Sequence, residues 1–351
     1  MDILANLAIG FGVALSWQNL LYCLLGCILG TLIGVLPGIG PVATIAMLLP
    51  VTFTLPPISA LIMLAGIYYG AQYGGSTTAI LVNLPGESSS AVTMLDGYQM
   101  ARQGRAGPAL GIAAIGSFIA GSAATVVIAV AAPPLAEVAL KFGPAEYFSL
   151  MVLGLIAAVV LAHGSVVKAI AMVILGLLLG LVGTDVNSGI ARFNFGISEL
   201  SDGIGFVTVA MGMFGFAEII ANLEQGEARE VFTAKVTNLL PTGKDLKDSS
   251  GAIVRGTILG AFLGILPGGG ALLSSFAAYA LEKKVAKDAS KFGKGDIRGV
   301  AAPESANNAG AQTSFIPLLT LGIPPNAVMA LMVGAMTIHG IVPGPQVMQK
   351  Q

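Results

Sequence analysis

The stretch from Gly34 to Gly40 reads GVLPGIG, and the stretch from Gly264 to Gly270 reads GILPGGG, so five of the seven positions are identical. Each stretch follows one apolar segment and precedes another. Proline lacks the amide donor of a helix, and glycine carries a high entropic cost there, so neither stretch can continue a helix. The sequence therefore predicts two broken helices at corresponding places in the chain.

The composition of the chain is that of a membrane protein. Of its 351 residues 55% are hydrophobic and 10% are charged, whereas soluble domains have roughly one quarter charged residues. Apolar runs of roughly 20 residues, the length that crosses about 30 Å of hydrocarbon, recur along it. They are Leu55–Tyr73, Ala109–Ala132, Ala145–Ala162, Val166–Gly183 and Ile204–Asn222. We predict an all-α, polytopic protein in the lipid bilayer, and the net charge of −1 gives no basic surface for nucleic acid.

The lysines and arginines between spans predict which loops face the cytoplasm. Seven of them lie in three alternating loops and two in the intervening ones, so the positive-inside rule places the richer set in the cytoplasm. The richer loops are residues 97–107, 163–168 and 224–250. The basic cluster from Lys283 to Arg298 belongs on the same side, yet only residues 251–281 separate it from the preceding basic loop. We therefore expect residues 251–281 to form a re-entrant helical hairpin with its tip near the membrane midplane.

A second polar break follows each copy of the motif. It reads NLPGES from Asn83 to Ser88 and GIPPN from Gly322 to Asn326, and two breaks per copy suggest a duplicated unit. If the segment around Pro85 is also a hairpin, five crossings separate the copies and the repeats are inverted; if it crosses the membrane, they are parallel. The chain then divides into a first repeat, a four-span block, a cytoplasmic loop and a second repeat. Their bounds are residues 1–107, 108–223, 224–250 and 251–351.

Broken helices within a membrane create helix ends that can bind ions. Their amides favour an anion, and their freed carbonyls can coordinate a cation. We take the breaks and nearby polar residues as candidate substrate- and ion-binding residues. They are Gly34, Pro37, Gly38, Gly40, Ser76, Thr77, Asn83, Pro85, Gly86 and Glu87 in the first copy, and Pro267, Gly268, Gly270, Glu304, Asn307, Asn308, Thr320 and Pro324 in the second, with Thr78, Ser88, Ser305, Thr313 and Ser314 as further hydroxyl groups.

The two candidate glutamates carry the strongest expectation. An ionised carboxylate at membrane depth costs about 2.5–3.5 kcal/mol, so Glu87 and Glu304 should be paired, protonated or near a cation. The alternative is that each caps a helix start, after Gly86 and after Pro303, at a solvated depth. For each serine or threonine the alternative is helix packing with cross-helix hydrogen bonds.

Other residues give no sign of an enzyme. Cys23 and Cys27 lie one helical turn apart in an apolar segment, which is typical of packing residues. His163 and His339 have no partners at metal-ligand spacing, and neither glycine-rich break is followed by the Lys-Ser or Lys-Thr pair of a phosphate-binding loop. We predict no catalytic residues, no cofactor and no metal centre other than transient Na⁺.

Several motifs together resemble the large membrane subunit of the tripartite tricarboxylate transporters, the TctA type. They include GVLPGIGP from Gly34, AGIYYGAQYGG from Ala65, NLPGE from Asn83, AAPESANNA from Ala301 and IPLLTLGIP from Ile316. The resemblance covers nearly the whole chain. It implies a multi-pass permease of the bacterial inner membrane, a secondary importer of tricarboxylates or related organic acids coupled to Na⁺ or H⁺. It also implies a smaller membrane subunit and a periplasmic solute-binding protein as partners.

The main alternative is a channel or a structural membrane scaffold without coupled transport. Large subunits of this type are usually longer, with a further hydrophobic block after the second repeat. In this chain the four spans from Ala109 to Asn222 follow the first copy, and nothing comparable follows the second. We therefore expect a C-terminally truncated member.

Overall fold

The computed structural model describes residues 3–36, 39–161, 165–185, 190–204, 238–266 and 270–347, and the single positions 209, 212, 220 and 236. Over these residues the regular structure is almost entirely helical, as predicted. The helices, numbered in chain order, are α1 (Ile3–Ala14), α2 (Trp17–Gly34), α3 (Pro41–Leu48), α4 (Pro57–Val82), α5 (Ala91–Arg102), α6 (Ala106–Ala139), α7 (Pro144–Leu161), α8 (Val166–Gly180), α9 (Gly243–Leu263), α10 (Gly270–Val285), α11 (Arg298–Thr313), α12 (Phe315–Leu321) and α13 (Ala327–Ile338).

Short elements connect these helices. Strands β1 (Gly183–Thr184) and β2 (Ala191–Arg192) form an antiparallel pair. Short 3₁₀ helices lie at Leu49–Thr52, Ser88–Ser90, Ser198–Asp202 and Ala289–Lys291.

Four of the five predicted spans coincide with helices, namely α4, α6, α7 and α8. The fifth, Ile204–Asn222, lies largely outside the described residues. Within the described part of the chain, α2 and α6 combine the length and the apolar composition that a membrane crossing requires.

Helices α2 and α4 pack with their backbones in close contact. Gly26, Gly30 and Gly34 recur every four residues, so they share one face of α2. A Cβ added to Gly30 would collide with the backbone carbonyl of Ile67, and one added to Gly34 would collide with the carbonyl of Ala71. Only a residue without a side chain permits this approach, as at other small-residue helix contacts in membranes.

Helices α9 and α11 pack in the same way. Glycines recur every four residues along α9, at Gly256, Gly260 and the residue after the helix, Gly264. A Cβ added to Gly260 would collide with the carbonyl of Ala306. As in the first pair, this glycine row runs directly into the Leu-Pro-Gly motif. Helix α2 ends at Gly34 and α3 begins at Pro41, whereas α9 ends at Leu263 and α10 begins at Gly270.

Residues of three basic segments that were predicted to be cytoplasmic, 97–107, 224–250 and 283–298, meet at one face, which we call the basic face. Beyond α5, the Gln103 side chain donates to the Lys294 carbonyl at 2.8 Å, and Arg105 pairs with Asp245 at 2.5 Å. Lys244 and Lys287, at the outer ends of α9 and α10, line the same cavity of about 660 Å³. The outer ends of α9 and α10 therefore lie close together at this face.

The apolar core has two main clusters. One joins α3 and α4 to α12 and α13 through Ile45, Leu64, Leu318 and Met329. The other joins α4, α5 and α6 to α9, α10 and α11 and includes Ile112. Helices α4 and α11 face each other where the clusters meet, and that contact contains the polar side chains described next.

Candidate functional site

The carboxyl group of Glu304 is enclosed between the first and second predicted repeats. Glu304 is the seventh residue of α11 and is 1% exposed. Thr93 Oγ1 lies 2.6 Å from Oε1, and Ser76 Oγ lies 2.9 Å from Oε1 and 2.8 Å from Oε2. The capping interpretation of Glu304 is wrong, because the helix begins six residues earlier, at Arg298, and continues through Pro303.

The carboxyl group of Glu87 belongs to the same contact. Glu87 precedes the 3₁₀ helix in an extended conformation, but its side chain does not cap that helix. Instead Oε1 accepts from Ser89 Oγ at 2.5 Å and from Asn307 Nδ2 at 3.2 Å. Glu87 therefore lies at a helix start, as the capping interpretation expected, but its side chain turns toward α11 and makes no capping hydrogen bond.

A pair of carboxamides completes the contact. Gln72 Nε2 on α4 donates to Asn307 Oδ1 on α11 at 2.8 Å. Gln72 is 1% exposed, and its Oε1 has no hydrogen-bond partner among the described residues. An orphaned buried acceptor of this kind is a position where a bound cation, water or proton donor fits. We call Gln72, Ser76, Glu87, Ser89, Thr93, Glu304 and Asn307 the inter-half network.

The network contains acidic groups and neutral donors. In the described part of the chain, the ion pairs within 4.0 Å lie elsewhere, and none includes Glu87 or Glu304. All hydrogen bonds to the two carboxyl groups come from hydroxyls or an amide. The arrangement can therefore accommodate protons or a hard monovalent cation, since carboxyl, amide and hydroxyl oxygens are suitable partners for either.

The first helix break lies against the first polar break. Thr78 Oγ1 lies 2.8 Å from the Val35 carbonyl, and a Cβ on Gly86 would lie 2.7 Å from the carbonyl of Gly34. Gly40 precedes α3 in an extended conformation, and its carbonyl accepts from Thr44 Oγ1 at 3.0 Å. Pro37 and Gly38 lie outside the described residues.

The second helix break lies against the second polar break in the same manner. Ser314 Oγ lies 3.1 Å from the Gly264 carbonyl and accepts from Asn326 Nδ2 at 3.0 Å. Gly270 has φ +61°, and a Cβ there would lie 2.8 Å from Asn326 Nδ2. An alanine at this position would thus have a strained backbone and a crowded methyl group. Pro267 and Gly268 lie outside the described residues.

The helices that precede the two polar breaks, α4 and α12, end in the same backbone conformation. Asn83 follows α4 with φ 60°, and Gly322 follows α12 with φ 73°, so each helix terminates in a left-handed residue. Pro85 and Pro324 come two residues later in each case. Asn326 then caps α13 by accepting from the Met329 amide at 3.0 Å.

Several predicted site residues do not join the network. Asn308 Nδ2 donates to Ser117 Oγ on α6 at 2.7 Å, so it faces away from Glu87. The hydroxyls of Thr77 and Thr320 donate to carbonyls four residues earlier in their own helices. Such bonds keep a hydroxyl satisfied inside a helix. This explains why α4 continues through Ser76 to Thr78, which sequence analysis placed at a break.

The structure also brings to the network three residues that the sequence motifs did not indicate. Gln72, Ser89 and Thr93 were not candidates. Gln72 could have been selected from the sequence, because it is the single carboxamide in the apolar run Leu55–Tyr73. A polar residue inside a membrane span often indicates a functional site. Thr93 could not have been selected from the sequence, since its role depends on how α5 lies beside α11.

Asp96 forms a separate buried cluster near the basic face. Its Oδ1 accepts from the amides of Gly293, Gly295 and Asp296 at 2.8–2.9 Å, and its Oδ2 accepts from the Tyr279 hydroxyl at 2.9 Å. Gly293 and Gly295 have φ of +77° and +97°, conformations that glycine adopts at little cost. Asp96 thereby fixes the connection between α10 and α11 to α5.

The cavity at the basic face carries both signs of charge. It includes Arg105, Lys244, Asp245, Asp248 and Lys287 among its lining residues. Burial opposes ionisation of Asp245, but hydrogen bonds from Thr242 and the Arg105 guanidinium outweigh it, so the pKa of Asp245 is lowered. Thr242 and Asp245 also form a reciprocal capping box at the start of α9.

An almost entirely helical chain with long apolar helices and a polar contact buried between them belongs to the class of membrane proteins. The sequence model of the tripartite tricarboxylate transporter TctA family matches residues 20–351. The chain belongs to this family, which confirms the resemblance and makes it a component of a transporter that works with partner subunits.

Two relatives from Agrobacterium vitis are similar to this chain. An uncharacterized 52.8 kDa protein in the TAR-I ttuC' 3' region is 62% identical over all 351 residues, which cover 70% of that relative. An uncharacterized protein in the TAR-II ttuC' 3' region is 63% identical over 92 residues, or 26% of this chain and 38% of that relative. No solved structure matches the chain.

Proposed function

We propose that this chain is the permease subunit through which a tricarboxylate or related organic acid enters a bacterial cell across the inner membrane, driven by a gradient of Na⁺ or H⁺. The observation that carries the proposal is the inter-half network. It places two buried carboxyl groups and an unpartnered amide oxygen where helices from both predicted repeats meet. Acidic groups at membrane depth are costly and typically mark ion or substrate pathways.

The orientation of α4 and α11 supports inverted repeats. The two helices occupy equivalent positions, since α4 packs on the glycine row of α2 and α11 packs on the glycine row of α9. Gln72 bonds to Asn307, and Ser76, one turn later on α4, bonds to Glu304, one turn earlier on α11. Equivalent helices that run antiparallel are related by inversion across the membrane, as in many secondary transporters.

The elements that follow the helix breaks are exchanged between the repeats. Helix α3, after the first Leu-Pro-Gly motif, packs against α13, after the second polar break. Helix α10, after the second motif, packs against the 3₁₀ helix at Ser88–Ser90, after the first polar break. This crossed packing supports two re-entrant hairpins whose tips approach a shared central site from opposite sides.

The placement of the partners follows from the basic face. The positive-inside rule assigns that face to the cytoplasm. A periplasmic binding protein would then deliver its carboxylate to the opposite face, and the small membrane subunit would lie among the lipid-facing helices. The substrate carboxylates would bind to the helix ends and hydroxyls at the tips of the two hairpins. The coupling cation would offset the negative charge of the substrate.

Reconstitution tests the proposal. The permease would be purified with its small membrane subunit, incorporated into liposomes and supplied with saturating binding protein and radiolabelled citrate, malate or tartrate. We expect accumulation above the external concentration when an inward Na⁺ or H⁺ gradient is imposed. Equilibration without accumulation would indicate a channel, and no uptake of any organic acid under either gradient would contradict the proposal.

A further inference from the structure

We propose that Glu304 is the proton-binding residue of the permease, and that the proton it carries is the coupling ion. This inference rests on the proposed transport function and makes it more specific, because it selects H⁺ over Na⁺ and assigns the site. It follows from the hydrogen bonds around Ser76, from the absence of a cationic partner among the described residues, and from the way the surroundings of Glu304 are divided between the two repeats.

Ser76 has one hydroxyl proton for three neighbouring acceptor atoms. Its hydroxyl lies within hydrogen-bond distance of three acceptor atoms, the Gln72 carbonyl at 3.1 Å and the two carboxyl oxygens of Glu304 at 2.9 and 2.8 Å. A hydroxyl donates one hydrogen bond and accepts others. If Glu304 is protonated on Oε2, three hydrogen bonds form together: Oε2 donates to Ser76 Oγ, Ser76 donates to the Gln72 carbonyl, and Thr93 donates to Oε1.

The charges around Glu304 point the same way. Among the residues that the structure describes, the titratable side chains that face it are Tyr73 on α4 and Glu87 ahead of α5, and neither is a cation. On α5, Asp96 is bound to the loop amides, and Arg255 of α9 is paired with Glu282 of α10. The charged residue of α6, Glu137, lies near the far end of that helix. A buried carboxylate with only two neutral donors is poorly stabilised, whereas the neutral acid fits.

Glu87 has a different set of contacts. Both of its hydrogen bonds reach Oε1 and come from groups with protons to spare, a serine hydroxyl and an amide. Glu87 is also more exposed than Glu304, at 8% against 1%. The network therefore does not require a proton on Glu87, and the proton site is assigned to Glu304 alone.

The division of the site between repeats links the proton to transport. Glu304 lies on α11 of the second repeat, while Ser76 and Thr93 lie on α4 and α5 of the first. A movement of one repeat relative to the other would break all these bonds together and open the carboxyl group to water, where an unperturbed glutamic acid ionises with a pKa near 4.3. Glu304 would take up a proton from water while the site is open to the periplasm, and it would release that proton to water while the site is open to the cytoplasm.

Infrared spectroscopy tests the proton without requiring transport. The difference spectrum of wild type minus Glu304→Gln, recorded on the purified complex at pH 7, should contain the C=O stretch of a protonated carboxylic acid. Ser76→Ala should shift that band, because it removes the acceptor of the acid proton. The matched control Glu137→Gln, an exposed glutamate of α6, should lack the band. Carboxylate bands alone in the Glu304→Gln difference spectrum would overturn the proposal.

Transport measurements test the coupling. Glutamine imitates the protonated acid, so Glu304→Gln should retain exchange of internal for external carboxylate and lose accumulation driven by a pH gradient at least tenfold. Wild-type accumulation driven by Na⁺ alone, or undiminished pH-driven accumulation by the variant, would overturn the assignment. Absence of all carboxylate transport by the wild type would instead contradict the proposed function, while the infrared result would still decide the protonation state. If Glu304→Gln does not assemble, the difference spectrum of wild type minus Ser76→Ala tests the protonation of Glu304: a shifted acid C=O band supports the proposal and its absence overturns it.

Discussion

Asp245 is held in its ionised form by residues of two different segments at the basic face. Thr242 donates to it through its hydroxyl at 2.7 Å and its amide at 3.0 Å, and Arg105 adds a guanidinium. Because these contacts lower the pKa of Asp245 in the folded protein, ionisation stabilises the fold above the unfolded pKa of about 3.9. This stabilisation is lost as the pH falls through the lowered folded pKa.

We therefore expect Asp245→Asn to lower the stability of the purified protein at pH 7, by about 1 kcal/mol for the weakened cap and ion pair. The difference from wild type should shrink as the pH is lowered below 4, because Asp245 then becomes protonated in both states. Apparent melting temperatures from pH 7 to pH 3 measure this. Asp248→Asn, in the same cavity but exposed, is the control and should follow the wild type throughout. A constant gap at all pH values would contradict the role assigned to the Asp245 charge.

At the scale of single residues, the sequence indicated four of the seven residues of the network. Glu87, Glu304, Asn307 and Ser76 could be selected because polar groups in apolar surroundings are costly. Their partners could not, since the bonds from Asn307 to Glu87 and from Ser76 to Glu304 join residues 220 and 228 positions apart. Pattern alone also placed Glu304 at a helix start, because Pro303 resembles a first-turn proline, whereas it lies inside α11.

At the scale of elements, the glycine rows control how closely helices approach. Gly30→Ala would force a methyl group against the Ile67 carbonyl, and Gly260→Ala would do the same against Ala306. Overpacking of this kind costs about 1–3 kcal/mol. We expect each variant to lower the apparent melting temperature in detergent, followed by the loss of the monodisperse peak in size-exclusion chromatography.

Gly121→Ala is the matched control for these variants. Gly121 lies inside α6, and no heavy atom lies within 4 Å of a Cβ added there. Alanine should be neutral or stabilise that helix by up to about 1 kcal/mol. Equal effects of Gly30→Ala and Gly121→Ala would mean that the glycine rows do not form the helix contacts described.

The helix breaks were the elements most readily predicted from sequence. Proline and glycine act locally, so the ends of α2 and α9 and the left-handed residue Asn83 follow from chemistry within a few positions. The crossed packing of α3 on α13 and of α10 on Ser88–Ser90 depends on long-range contacts that no local pattern encodes. The predicted span at Ile204–Asn222 stays a prediction, because it lies largely outside the described residues.

At the scale of the whole molecule, the predicted re-entrant hairpin would place the loops before α9 and after α10 on the same side of the membrane. Helices α9 and α10 form a pair whose outer ends line one cavity. Single cysteines at Lys247 and Lys287, with Cys23 and Cys27 replaced by alanine, should react with a membrane-impermeant maleimide from the cytoplasmic side only. A cysteine at Arg192, in β2, should react from the opposite side and serves as the control. Labelling of the Lys247 and Lys287 positions from opposite sides would remove the hairpin.

Asn307 of α11 connects the two repeats at the contact where we propose that transport takes place. Its side chain bonds to Gln72 of α4 and to Glu87, and it is fully buried. Loss of a hydrogen bond to a charged group is worth about 1.5–3 kcal/mol, roughly a tenfold to hundredfold change in rate. Gln312, on the same helix α11, bonds instead to Thr125 of α6 at an exposed position and provides the control.

The most direct measurement is therefore the initial rate of labelled carboxylate uptake by Asn307→Ala and Gln312→Ala in liposomes, with saturating binding protein and normalised to the amount of assembled permease. We expect uptake by Asn307→Ala to fall at least tenfold and uptake by Gln312→Ala to equal the wild-type rate. A wild-type rate for assembled Asn307→Ala would show that the inter-half network is a packing feature and that transport occurs elsewhere in the molecule.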